Sequence, residues 1–377
     1  MRIRLVCTFL ILAGFSGCGS APLTTSNLNS TPAAVTRSYN GTASVGDFLT
    51  ITLNTTALTM TYNNLSNGDS GTFPYTVNAD GSYTLSDPNG NLLSAYEIPG
   101  YALLIQAAKA GPNHNTPAVI TAVESGPISM STFSGNSYNY MQFRTVAGGL
   151  EVGSVTIGAT SATNSSYWPY GHFSQGSGGA FNNGTLDFSQ MTEGSSGTYI
   201  YGPDGGGGTG DDYIFGTASG FFIVDSPNGS IIGLPKATSP AFDPTVAGTY
   251  NGIYYEKLNA TNSGTTETGT PSTGQATIVI DSLGNITVTD SNSNTIISAL
   301  LTPVASSSYL YGTGSDGKLT DPCNGLFTFH KVTGAFEHDV FVTFVGNSVV
   351  FSKYSANLPW VEGTSTYTYW YGVGLKQ

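Results

Sequence analysis

The chain is poor in charge. It carries 11 lysines and arginines against 23 acids, so charged residues are 9% of its 377 positions, where an average soluble domain carries about 25%. The balance is acidic, formally −12, which argues against nucleic acid, anionic lipid and polyanionic glycans as partners. Cysteine is scarce: Cys7, Cys18 and Cys323. The four histidines, His114, His172, His330 and His338, fall in no H-E-x-x-H or H-x-H pattern. With no cysteine pair to support zinc, neither a metal centre nor a cofactor is expected. Long apolar runs are missing; Leu5 to Phe15 is too short to span a bilayer as a final anchor. A sustained 3.6-residue apolar repeat is missing too, so no helix is expected.

What is present begins with export. Arg2 and Arg4 precede the apolar run, and Phe15-Ser16-Gly17-Cys18 closes it. This resembles the lipobox of bacterial lipoproteins, with small residues just before a cysteine. Phe15 departs from the pattern, which usually has an aliphatic there. The resemblance implies a signal peptide over residues 1–17, diacylation of Cys18 and a membrane partner reached through lipid. Two or three acyl chains hold firmly, since each buried methylene adds about 0.8 kcal/mol. Gly19 and Ser20 follow. In Gram-negative lipoproteins Asp at the first of these positions implies inner-membrane retention, so its absence leans to the outer membrane. Residues 18–37 are Ser, Thr, Asn, Ala and Pro with few large apolar side chains, which reads as a flexible tether. Once Cys7 leaves and Cys18 is lipidated, only Cys323 remains. No intramolecular disulfide can form, and Cys323 is expected to be a buried small hydrophobe.

The rest alternates with period two in short pieces: FLTITL from Phe48, LTMTY from Leu58, SVTI from Ser154, ATIVI from Ala276, ITVT from Ile286 and YTYWY from Tyr367. Gly, Asn, Asp and Pro punctuate them. The expectation is an all-β chain of antiparallel meanders. Three elements recur in the same order. A Tyr-Asn pair stands at Tyr39, Tyr138 and Tyr250. An aromatic strand then runs into Asp-Gly at Asp80, Asp204 and Asp316. A hairpin follows: GYALLI with AVITAV, GFFIVD with SIIGLP, and DVFVTF with SVVFSK. This predicts three related modules, 38–128, 129–245 and 246–377, each a lipocalin-like barrel or a sandwich. The alternative is a propeller, because ATIVIDSLGNITVTDSNSNTI from Ala276 resembles the NHL-type propeller repeat.

Motifs for chemistry are thin. Gly68-Asp69-Ser70-Gly71 resembles the nucleophile motif of chymotrypsin-like proteases, yet no His precedes Ser70, and a turn needs the same residues. Asp87, Asn89 and Asn91, and again Asp290, Asn292 and Asn294, match the first positions of a calcium loop without its later Gly and Glu, so turns are expected. The run Asp204 to Asp212 lacks the lysine of a P-loop. Glu124, Glu151, Glu193, Glu256 and Glu337 include no pair that the sequence selects for glycoside hydrolysis. Glu337-His338-Asp339 has catalytic residue types, but neighbours on a strand point to opposite faces. The densest aromatic segment is YWPYGHF, whose Tyr167, Trp168, Tyr170 and His172 are the ligand-binding candidates. Its alternative is a loop plugging its own module. Trp360 and the closing YTYWY strand read as core. The function expected is non-catalytic glycan or protein binding, or a structural role, in the cell envelope. The alternatives are a small-molecule carrier using a barrel interior and an enzyme acting on envelope or extracellular polymers.

Overall fold

The computed structural model describes residues 35–377 except 87–91, 111–115, 129, 145–149, 170–179, 188–190, 195–197, 202–211, 218–219, 228, 264–265, 308–309, 311–318 and 360–363. Over the described residues the chain is nearly all-β and antiparallel; against the expectation of no helix it has one α-helical turn, Met130–Phe133, and two 3-10 turns, Pro244–Val246 and Val304–Ser306. Three meanders follow one another, and in each the first strand pairs with the last.

The first meander is a closed eight-stranded barrel: β1 (Thr36–Ala43), β2 (Asp47–Asn54), β3 (Thr59–Asn64), β4 (Ser70–Val77), β5 (Tyr83–Ser86), β6 (Leu92–Ile98), β7 (Ala102–Ala110) and β8 (Thr116–Glu124), with β8 returning to β1. The second is a nine-stranded sheet: β9 (Ser137–Arg144), β10 (Leu150–Ile157), β11 (Ser161–Trp168), β12 (Ala180–Asp187), β13 (Met191–Glu193), β14 (Tyr199–Tyr201), β15 (Asp212–Gly216), β16 (Phe222–Ser226) and β17 (Gly229–Pro235). Here β17 pairs β9, and β12 and β13 are the edges. The third starts at β18 (Gly248–Ala260). A small hairpin of β19 (Asn262–Ser263) and β20 (Thr266–Glu267) interrupts it. It continues with β21 (Thr270–Ile280), β22 (Asn285–Asp290), β23 (Thr295–Leu300), β24 (Thr302–Pro303), β25 (Leu326–Thr333), β26 (Phe336–Val345), β27 (Ser348–Asn357) and β28 (Tyr367–Lys376). Its ends meet as β28 on β18, with β23 and β24 at the edges.

Local chemistry explains the turns. Gly46, Gly81, Gly284 and Gly346 all take positive φ, which glycine adopts without steric cost. Asp281 Oδ1 accepts from the backbone N–H groups of Leu283 and Asn285 at 2.8 and 2.9 Å. Asp290 Oδ1 repeats this with Asn292 and Asn294 at 2.9 and 2.7 Å. The stretch that resembles a propeller repeat is therefore three consecutive strands, β21 to β23, of the third meander.

The Tyr-Asn pairs lie on β1, β9 and β18, the opening strand of each meander, and all three tyrosines are buried. The third hairpin differs from expectation. DVFVTF and SVVFSK form β26 and β27, joined at Gly346-Asn347, but β28 is the strand that closes the sheet. In the first two meanders the corresponding hairpins, β7–β8 and β16–β17, themselves supply the closing strand.

Each meander has its own core. Leu53, Met60, Leu85 and Ile105 fill the first, Tyr138, Tyr140, Val155 and Phe222 the second, and Tyr250, Ile278, Val288 and Phe351 the third. A fourth core, formed by outer faces of all three, is shared. Phe48 of β2 stacks on Tyr213 of β15 with centroids 4.4 Å apart, and Phe143 of β9 stacks on Tyr371 of β28 at 4.1 Å. Such pairs contribute roughly 0.5–1.5 kcal/mol beyond the area they bury. The shared core also explains why strands such as β7 lose their alternation. Leu103 and Ile105 face the first lumen, while Ala102 and Leu104 face the neighbouring meanders. Among the described residues no helix is long and apolar enough to cross a membrane, which says nothing of strands.

Candidate functional site

Cys18 lies outside the described residues, as do Tyr170, His172 and Trp360. Tyr167 ends β11 with Trp168. It is 2% exposed, and its ring lies 5.9 Å from that of Phe341 on β26, so it belongs to the shared core. Cys323 is fully buried in the same core. Burial pushes its thiol up to about 12, so it holds its proton at neutral pH. The GDSG stretch spans the end of the β3–β4 turn and the first two residues of β4. Gly68 takes positive φ, and Tyr62 donates to Asp69 Oδ2 at 2.8 Å. Asp87, Asn89 and Asn91 lie outside the described residues. The side chain of Asp290 serves its own turn, where its Oδ2 also accepts from Asn294 Nδ2 at 2.8 Å.

The lumens carry polar groups. At one end of the closed barrel, Glu97 is 1% exposed and holds four donors. Arg37 reaches it through Nε and a terminal nitrogen at 2.7 and 2.6 Å. The Tyr39 and Tyr83 hydroxyls each donate to one of its oxygens. Burial, and after it the carboxylate, raises both phenols far above their usual range. In the second meander Tyr140 donates to Glu151 at 2.7 Å. In the third, Glu256 accepts from Trp370 Nε1 at 2.8 Å and from Ser272 at 2.6 Å. Lys353 sits 4.5 Å over the Trp370 ring and donates to the Ile296 carbonyl on β23 at 2.7 Å. Three of the glutamates in the lumens thus have internal partners.

A different arrangement stands on the outer face of the third meander. Within β26, Val340 and Val342 point into the lumen, while Phe341 belongs to the shared core. Alternation therefore places Glu337 and Asp339 on the outer side and His338 on the other. His338 Nδ1 lies 2.7 Å from Ser355 Oγ. Burial, and then the nearby lysines Lys353 and Lys331, lower its affinity for a proton. Opposite Asp339 in the β25–β26 ladder is His330. Its Nδ1 is 2.8 Å from Asp339 Oδ1 and 3.7 Å from Glu337 Oε1. The side chains of Asp339 and Glu337 are 0% and 7% exposed, against 24% for His330. One ligand atom from each of the three lies within 4.8 Å of the others.

Sequence reasoning set Glu337-His338-Asp339 aside because strand neighbours face opposite ways, as they do here, and it did not find His330 as the histidine that meets the two acids. The missing signal was the hairpin loop. Thr333 pairs Phe336 around a two-residue loop whose Gly334 has positive φ, and that register sets His330 against Asp339.

No known family and no curated protein matches the chain. Among solved structures it is similar to a double mutant of the vaccine antigen transferrin binding protein B from Haemophilus parasuis Hp5. The identity is 9%, over 92% of this chain and 77% of that one, with a TM-score of 0.23. A single mutant of the same antigen gives 8% identity, 88% and 66% coverage and 0.23. The DNA polymerase III subunit beta from Pseudomonas aeruginosa gives 11%, 70% and 92%, and 0.12. Likenesses this remote say nothing of what the chain binds.

Proposed function

We propose that the chain is a lipid-anchored protein of the bacterial cell envelope, held to the outer membrane through Cys18, that works by non-catalytic recognition of a protein or a glycan. The observation that carries this reading is the packing. Buried apolar and aromatic side chains line the described lumens, and the meanders are joined through a common buried core. What such a body offers a partner is a rigid outer surface.

The contact surface we favour is the aromatic segment that follows Tyr167. Its first ring is rooted in the shared core beside Phe341, and Trp168, Tyr170 and His172 come next in the sequence. Aromatic residues there suit a sugar ring or a protein partner.

The test has two arms. In the first, Trp168→Ala with Tyr170→Ala is compared with the unaltered protein in glycan-array and pull-down profiles. Binding should fall while thermal stability stays unchanged. Unchanged profiles with a lower melting temperature would identify the segment as a plug. The second arm feeds radioactive palmitate to producing cells. Label should appear on the protein and vanish in Cys18→Ser; an unlabelled parent protein removes the anchor.

A further inference from the structure

We infer that His330, Glu337 and Asp339 form a binding site for a divalent transition-metal ion of the zinc class. The inference is independent of the lipid anchor and of the aromatic segment.

The geometry comes first. A tetrahedral zinc ion with ligands at about 2.0–2.2 Å holds those ligands roughly 3.3–3.6 Å apart. His330 Nδ1 is 2.8 Å from Asp339 Oδ1 and 3.7 Å from Glu337 Oε1. These two separations bracket the required value and the third pair, Glu337 with Asp339, lies within 4.8 Å, so side-chain shifts on the order of an ångström or less complete the cradle. The scaffold is stiff. The three residues stand on two paired strands in continuous register, and Asp339 is held on its other side by pairing with Tyr354 of β27. No loop has to close.

Charge points the same way. Two carboxylates with little or no exposure meet within reach of one imidazole. Two adjacent carboxylates attract a divalent cation. The exposure gradient supplies a route. His330 forms the lip, followed by the exposed Lys331, Val332 and Thr333, and the carboxylates lie behind it.

The donor set selects among metals. One imidazole nitrogen with two carboxylates suits zinc, manganese or iron. Calcium takes six to eight oxygens, and three side chains with one nitrogen do not supply them. Three protein ligands leave a fourth position to water, as in open zinc sites.

The experiment uses the full-length protein purified without a histidine tag and stripped with a chelator. Zinc chloride is titrated by calorimetry, with calcium chloride as the control. The expected result is one zinc per chain, a higher melting temperature with zinc, and no calcium effect. His330→Gln and Asp339→Asn keep approximate size while removing a ligand. Each should weaken zinc binding by about 100-fold or more, beyond the 10–100-fold known for mere supporting partners. As a check that needs no variant, X-ray absorption of the zinc-loaded parent should report one imidazole with oxygen neighbours and no sulfur. No saturable zinc uptake, uptake undiminished in either folded variant, or a shell with sulfur or several imidazoles would overturn the site.

Discussion

Two buried carboxylate sites divide the molecule's chemistry between them. In the closed barrel, Glu97 is held by a two-pronged guanidinium and two phenols. On the outer face of the third meander, Glu337 and Asp339 meet the His330 imidazole. The first site has one negative charge, one positive charge and a donor for each lone-pair direction in use. Such a site fixes a barrel end and leaves little for a ligand to do. The second brings two acids and an imidazole within ligand distance of one another at the edge of solvent. The first therefore reads as a structural seal and the second as a set of metal-ligand types.

The sharpest way to break this comparison is to take the compensation away from Glu97. Arg37→Met leaves a buried carboxylate without its cation, and should cost about 3 kcal/mol, at the low end for a broken buried pair because Arg37 is partly exposed. Chemical denaturation measures it. The double variant Arg37→Met with Glu97→Gln should recover part of the loss. If Arg37→Met alone is neutral, the seal is not a seal. Asp339→Asn should behave differently. Without metal it removes one of two like charges and should change stability by no more than about 1 kcal/mol. With zinc present, the variant should forgo whatever stabilisation the ion gives the parent. A loss in metal-free Asp339→Asn as large as that of Arg37→Met would make both sites structural.

The same contrast explains what was legible in the sequence. Period-two alternation and glycine turns announced the strands, so FLTITL became β2, and the Tyr-Asn pairs marked the strand that opens each meander. These are local signals. The pairing of first with last strand was not local, and nothing near β28 announces its partner in β18. The shared core was half visible. ALLI on β7 and FFIV leading into β16 are apolar without alternation, the mark of strands buried on both faces. Which meanders cover those outer faces depends on tertiary packing. The Glu97 site escaped notice because Arg37, Tyr39, Tyr83 and Glu97 are spread over sixty residues and meet through barrel closure. The cluster on β26 was closer to hand, since the Gly334 loop fixes its register.

A third carboxylate gives the smallest and most diagnostic test. Asp225 of β16 is wholly buried where the first two meanders meet, and it accepts from Thr42 of β1. Burial raises its proton affinity well above the usual range, with Asp47 and Asp212 adding to the effect and Thr42 opposing it. The sign follows from linkage. Below the ordinary aspartate range both the folded and the unfolded chain carry the proton, and nothing is lost. As pH rises through that range, the unfolded chain ionises while the folded one resists, so the wild-type protein loses stability toward neutral pH. Asp225→Asn keeps an acceptor for Thr42 and cannot ionise. It should raise the melting temperature by a few degrees at pH 7, and the gain should shrink toward zero near pH 3.5. A gain that is equal at both values, or a loss at pH 7, would mean that Asp225 is charged and compensated in the folded protein. It would then belong with Glu97 rather than with the acids beside His330.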